Sequence, residues 1–156
     1  MELLFLFGFS LHNIEEGIWL PNWSKHAKKF HKEVDKNEFR FSLIIITSIG
    51  ILITFLEKCF GNSVIIIEYI YCGFIGMMIL NVLFPHVIAT IILRKYAPGT
   101  ITGIMLNFPI GMTLLVQKIA SGYSIFIIIV ATVIISCIII GLLNLLFKLG
   151  KKLIAY

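Results

Sequence analysis

The sequence predicts an all-α, polytopic transmembrane bundle of about five spans, built as one domain over 156 residues. Three observations carry that prediction. Hydrophobic residues make up 59% of the chain, against about 45–50% in soluble proteins. Charged residues make up 13%, roughly half the usual share. The apolar residues are also gathered into runs close to the ~20 residues that a membrane-crossing helix needs. A soluble chain this short cannot hide so much apolar surface, whereas a bilayer accepts it.

Spans are expected at about residues 3–20, 39–56, 64–93, 101–116 and 124–147. The first is interrupted by His12, Asn13, Glu15 and Glu16. Buried acidic groups cost several kcal/mol each on insertion scales, so a re-entrant or interfacial helix is the alternative there. Trp19 and Trp23 fall where this segment meets the inner interface, as aromatic belts do. Residues 24–38 follow. Ala27, Phe30, His31 and Val34 share one face, with lysines and acids around them. That pattern predicts an amphipathic helix on the cytoplasmic leaflet, attracted to anionic lipid; a solvated connecting loop is the other reading. The second, third and fifth spans are strongly apolar, and the fourth is interrupted only by Asn107 and Pro109.

Loop charge sets the orientation. Eleven of the thirteen basic residues lie on alternate connections and the C-terminal end, leaving Lys58 and Lys118 for the opposite side. The rule that cytoplasmic loops are rich in Lys and Arg then places the N-terminus outside and the C-terminus inside a multi-pass protein of the plasma membrane. If the first segment does not cross, the other four keep their direction. No cleavable signal peptide is expected, since Glu2 stands where a basic residue would. The net charge of +5 therefore points to the bilayer as partner and excludes nucleic acid; a homo-oligomer is left open. Cys59, Cys72 and Cys137 form no Cys-x-x-Cys pair, and they read as small apolar filler.

Polar groups within the spans gather at one depth. At 1.5 Å per residue, His12 and His86 each lie about 12 Å from the cytoplasmic end of their helix, and Asn107 about 10 Å. Glu15 and Glu16 lie about 6–8 Å deep. His12 with Glu15 is i,i+3, and His12 with Glu16 is i,i+4, so all three can share a face. This spacing presents metal ligands from a helix. His12, Glu15 and His86 are the expected ligands of a divalent metal, zinc or iron, with Glu16 as catalytic base or as a partner that orients a ligand. Asn81, Asn107, Thr100 and Arg94 are expected to orient ligands or substrate. A charge network with nearby basic residues, or a proton or ion path, is the competing reading of the same cluster.

The backbone around the cluster is marked too. Pro85 removes the helical partner of the Asn81 carbonyl, and Pro109 that of Met105. Gly103, Asn107 and Gly111 recur every fourth residue and predict close helix packing, with Asn107 bonded across it. Tyr96-Ala97-Pro98-Gly99-Thr100 predicts a type II turn, with Thr100 capping the next helix. Arg94 and Lys95 beside that helix start would make it an anion site, or the segment is a turn and cap alone. Glu57 and Glu68 are expected at the outer interface or paired with Lys58.

His12-Asn13-Ile14-Glu15-Glu16 in a first apolar segment resembles the HXXEE-motif family of small bacterial membrane proteins. His86 in a later span and the Tyr96–Thr100 segment also resemble it, over most of the chain up to about Lys118. The resemblance implies that His12, Glu15, Glu16 and His86 matter; it supplies no reaction. The leading expectation is a metal-dependent, membrane-embedded enzyme acting on an amphiphilic or lipid substrate near the cytoplasmic face. The alternatives are a small transporter or proton- or ion-binding protein using the same groups without metal, and a structural or partner-binding subunit.

Overall fold

The computed structural model describes residues 1–27 and 33–154. Five long helices hold them: α1 Glu2–Ser24, α2 Lys36–Phe60, α3 Ile65–Leu93, α4 Thr100–Ala120 and α5 Ile125–Ile154. The described residues contain no strand. The last four helices are long and apolar enough to cross a membrane. Large apolar side chains such as Phe126, Ile134 and Ile140 are exposed along them; that much open hydrocarbon surface marks a bilayer-facing exterior.

Each polar interruption of α1 is accommodated within the helix. α1 runs without a break through His12, Asn13, Glu15 and Glu16, and all four are buried against other helices. It also extends past Pro21 to Ser24. The centre of the expected amphipathic helix, including Phe30 and His31, lies outside the described residues. Its flanks are not helical: residues 25–26 form a turn and residues 33–35 have no regular structure. Asp35 then caps α2, accepting from the N–H groups of Asn37 at 2.8 Å and Glu38 at 3.2 Å. The bonds from Glu38 and Asn37 hold its carboxyl below the ordinary value of 3.8.

α3 is the central helix, with every residue from Tyr71 to Ile79 buried. Glycines bring its neighbours close. A side chain at Gly73 would meet the Ala131 backbone of α5 at 2.8 Å, and one at Gly111 of α4 would meet Ile75 at 3.0 Å. Phe5 and Phe9 of α1 pack edge-on against Phe74, with centroids 6.0 and 5.1 Å apart. These rings, with Tyr71, belong to one buried apolar cluster between α1 and α3.

The two proline sites behave differently. Residues Val82–Val87 widen into a π-helical turn, and Phe84, the residue before Pro85, is extended at φ −131°, ψ 118°. Proline disfavours helical backbone at the preceding residue. Pro109 instead lies in the first turn of the regular helix that resumes at Phe108, after a π-helical stretch Gly103–Asn107.

Candidate functional site

His12 and Glu16 stand one turn apart on the face of α1 that meets α3, where His86 faces them. His86 Nε2 lies 2.9 Å from Glu16 Oε1, and His12 Nε2 lies 3.6 Å from the same oxygen. The two imidazole rings meet edge to face, 5.0 Å apart. One ligand atom from each of the three residues lies within 4.8 Å of the other two. Asn81 completes the group, its Nδ2 3.2 Å from Nε2 of both histidines. Burial is nearly total: His12 is 0% exposed, His86 2% and Glu16 8%.

The break in α3 makes this convergence. In a regular helix, Asn81 and His86, five residues apart, would point about 140° away from each other. The wide turn at Val82–Val87 and the extended Phe84 rotate His86 back beside Asn81.

Glu15 does something else. One residue along from Glu16, it is turned about 100° around α1 and meets the start of α4. Oε1 accepts from the Gly99 N–H at 2.6 Å and from the Tyr96 hydroxyl. Oε2 accepts from the Thr102 N–H at 3.1 Å and the Thr102 hydroxyl at 2.6 Å. Four donors thus surround one carboxylate at a helix N-terminus, where negative charge is favoured. The structure therefore exchanges the expected placements: Glu16 stands with the histidines, and Glu15 is held away from them as a cap. Burial, with the Glu15 carboxylate beside it, pushes the Tyr96 phenol up to about 12. Tyr96 thus keeps the proton it donates at any physiological pH.

Thr102, which the sequence did not single out, links the two parts. His12 Nδ1 lies 3.2 Å from Thr102 Oγ1, whose hydroxyl donates to Glu15. A Thr102 oxygen accepting from Nδ1–H leaves Nε2 as the lone-pair atom facing Glu16 and Asn81.

The Pro98-Gly99 turn closes the site. Gly99 has φ 92°, ψ −14°, and the Thr100 N–H donates to the Ala97 carbonyl at 3.1 Å, as a type II turn requires. A Cβ on Gly99 would lie 2.8 Å from Cε1 of both His12 and His86. Gly99→Ala is therefore expected to destabilise the protein by about 1–3 kcal/mol and to push the rings apart, read as a lower unfolding midpoint in detergent.

Other expected site residues fall elsewhere. Thr100 does not cap α4; its hydroxyl donates back to Ala97 O at 2.6 Å and pairs with Thr90 at 2.9 Å. The caps its helix needs come from Glu15 instead. Arg94 ends α3 in a left-handed conformation and is exposed. Asn107 is fully buried on α4, where its Oδ1 would sit 3.0 Å from a Cβ on Gly8. Among the described residues its amide finds no hydrogen-bond partner, so it does not bond across the interface.

A second polar cluster occupies the opposite end of the bundle. Lys118 of α4 donates to Glu57 of α2 at 3.3 Å and to Glu68 of α3. Lys58, the expected partner, points from the next position round α2 and pairs with Glu2 at 3.6 Å instead.

Two openings bear on access. An apolar groove of about 570 Å³ between α1 and α4 is walled by Trp19, Trp23, Tyr96 and Ile101 and touches Glu15. It does not reach the histidines. A smaller cavity of about 170 Å³ does: it runs from Leu20, Phe39 and Phe147 to Glu16, Asn81 and His86.

The His-x-x-Glu-Glu segment gives the chain its relatives. Residues 3–114 match the family described as proteins of unknown function with an HXXEE motif. The chain belongs to this HXXEE family. It is also similar to the uncharacterized protein YrkK of Bacillus subtilis (strain 168), 42% identical over 149 residues, covering 95% of this chain and 94% of that one. No solved structure matches it. Within this HXXEE protein, the first and last residues of the motif, His12 and Glu16, share the histidine cluster. Its middle glutamate, Glu15, ties α1 to α4.

Proposed function

We propose that this HXXEE protein is a metal-dependent enzyme embedded in the plasma membrane, acting on an amphiphilic or lipid substrate near the cytoplasmic face. The observation that carries this reading is the convergence of His12, Glu16, His86 and Asn81. Four donors held in a tetrahedron at about 2.0–2.1 Å from zinc lie roughly 3.3 Å from each other. Four of the six separations in the structure, 2.9, 3.2, 3.2 and 3.6 Å, bracket that edge.

Hydrogen-bond accounting supports the same reading. One imidazole nitrogen cannot both donate to Glu16 and accept from Asn81. A cation among these atoms removes the conflict, because each then presents a lone pair inward, with Asn81 turned to offer Oδ1. Two histidines and a carboxylate suit zinc or iron. Such a metal would supply Lewis acidity and a more acidic bound water. The protein's own part is to hold the ligands. Thr102 and Glu15 set the His12 tautomer, which raises ligand basicity, while the buried aromatic cluster of Phe5, Phe9, Tyr71 and Phe74 packs between α1 and α3. The cavity that ends at Glu16 and His86 is walled mainly by apolar side chains such as Leu20, Phe39 and Phe147, which suits the apolar part of an amphiphilic substrate.

Metal analysis of the purified protein tests this. The expected result is about one divalent ion per chain in the wild type and near none in His12→Ala or His86→Ala. Equal, near-zero content in all three overturns it. A proton- or ion-binding role without metal has one observation in its favour, the charged cluster around Lys118 at the other end. The aromatic cluster of Phe5, Phe9, Tyr71 and Phe74, each at most 1% exposed, stands against a continuous path between the two. Liposome flux abolished by Glu16→Gln in metal-free protein would favour that role.

A further inference from the structure

Arg40 is fixed by a backbone defect in α1. Pro21 has no N–H, so the carbonyl of Gly17, four residues earlier, loses its helical partner. Arg40 Nε takes that carbonyl at 2.9 Å. Gly17 also lets α2 pack closely here: a Cβ there would lie 3.3 Å from Leu43 Cδ1. The guanidinium is thereby aimed, with its Nη groups still carrying donors. Among the described residues no carboxylate lies within ion-pair distance of it.

Arg40 stands at one end of a groove of about 490 Å³ between the antiparallel helices α1 and α2. The groove runs about 12 Å along α2, from Arg40 to Ser48. Its rims are Ile14, Ile18 and Ile44, exposed at 56%, 48% and 64%. It therefore opens sideways, toward hydrocarbon. Lys36 lies one turn further out on the face of Arg40.

We propose that this groove binds an anionic membrane phospholipid, its headgroup phosphate on Arg40 and one acyl chain along Ile14, Ile18 and Ile44. The occupant follows from the combination. A planar, pre-aimed guanidinium matches a phosphate oxygen pair, and a trough walled chiefly by Ile14, Ile18, Leu43 and Ile44, with Ser10, Asn13, Thr47 and Ser48 also lining it, leads from it along α2. A soluble anion would have no use for the trough, and a neutral lipid none for the unpaired charge. The site is separate from the histidine cluster and stands whether or not metal binds there.

The test is native mass spectrometry of the detergent-purified chain with phosphatidylglycerol or phosphatidylcholine in the micelle. The wild type is expected to retain phosphatidylglycerol about tenfold better, the worth of one charge-assisted hydrogen bond. Arg40→Gln should bring the two lipids to parity. Arg40→Lys, keeping the charge but not the tie to Gly17, should fall between. Ile44→Trp fills the trough with Arg40 untouched and should lower retention of phosphatidylglycerol as well. Lys95→Gln removes an equal charge elsewhere and should change nothing. An undiminished preference in Arg40→Gln, or undiminished retention of phosphatidylglycerol in Ile44→Trp, overturns the proposal. So does displacement of the lipid by inorganic phosphate at equal concentration, which would reveal an anion site indifferent to the chain.

Discussion

On the proposed metal-site reading, Glu16→Gln is expected to abolish binding of a divalent metal, while Glu15→Gln leaves a protein that still binds it, about 10–100-fold more weakly. The two glutamates are neighbours in sequence and share their burial, at 8% and 5% exposure. They differ in what surrounds them. Glu16 Oε1 sits 2.9 Å from His86 Nε2, so replacing the carboxylate removes an inward lone pair and half of the charge balance for a divalent ion. Glu15 has four donors pointed at it from Tyr96, Gly99 and Thr102. A glutamine there turns an NH₂ toward N–H groups that need an acceptor. Leaving a buried donor unpaired costs about 1–3 kcal/mol, so Glu15→Gln should lower the unfolding midpoint more than Glu16→Gln does. Metal content and thermal unfolding, measured on both variants, separate the roles. If Glu15→Gln loses metal completely and Glu16→Gln keeps it, the assignment of the two residues is reversed.

Lys118→Met is expected to destabilise the protein by about 3 kcal/mol, the cost of leaving buried charge without its partner. Lys118 is the cation between Glu57 and Glu68, whose side chains are 7% and 2% exposed. It thereby ties α2, α3 and α4 together at the end remote from the histidines. The expected cost is at the low end of the range for buried pairs because Lys118 itself is 17% exposed. Adding Glu57→Gln and Glu68→Gln to Lys118→Met should recover most of the loss, since an uncharged cluster no longer needs a cation. Denaturant unfolding in detergent reads this directly. A triple variant no more stable than Lys118→Met would mean that the lysine acts through packing alone.

Much of this was legible along the chain because bilayer chemistry is written in composition. The helices follow from apolar runs and their ends from turn residues: Pro98-Gly99 forms the type II turn that its residue types require. His12 and Glu16 share a face because four residues make about one helical turn. Asn81 and His86 were legible as polar residues in an apolar span. That they face each other was not, because five-residue spacing in a regular helix separates them, and only the broken turn at Phe84 brings them together. Lys118 was hidden for a different reason: its partners lie 50 and 61 positions away, beyond any local pattern.

The sequence by itself determined the class of this protein, its helices and the polar residues that a bilayer makes costly. The tertiary structure alone decided which partner each of those residues has. Glu15 and Glu16 are chemically identical and adjacent, so nothing local distinguishes the partner of the histidines from the cap of α4. The distinction arises because α1 is wedged between two neighbours: the 100° step between consecutive residues delivers one carboxylate to the histidine of α3 and the other to the N–H groups at the start of α4.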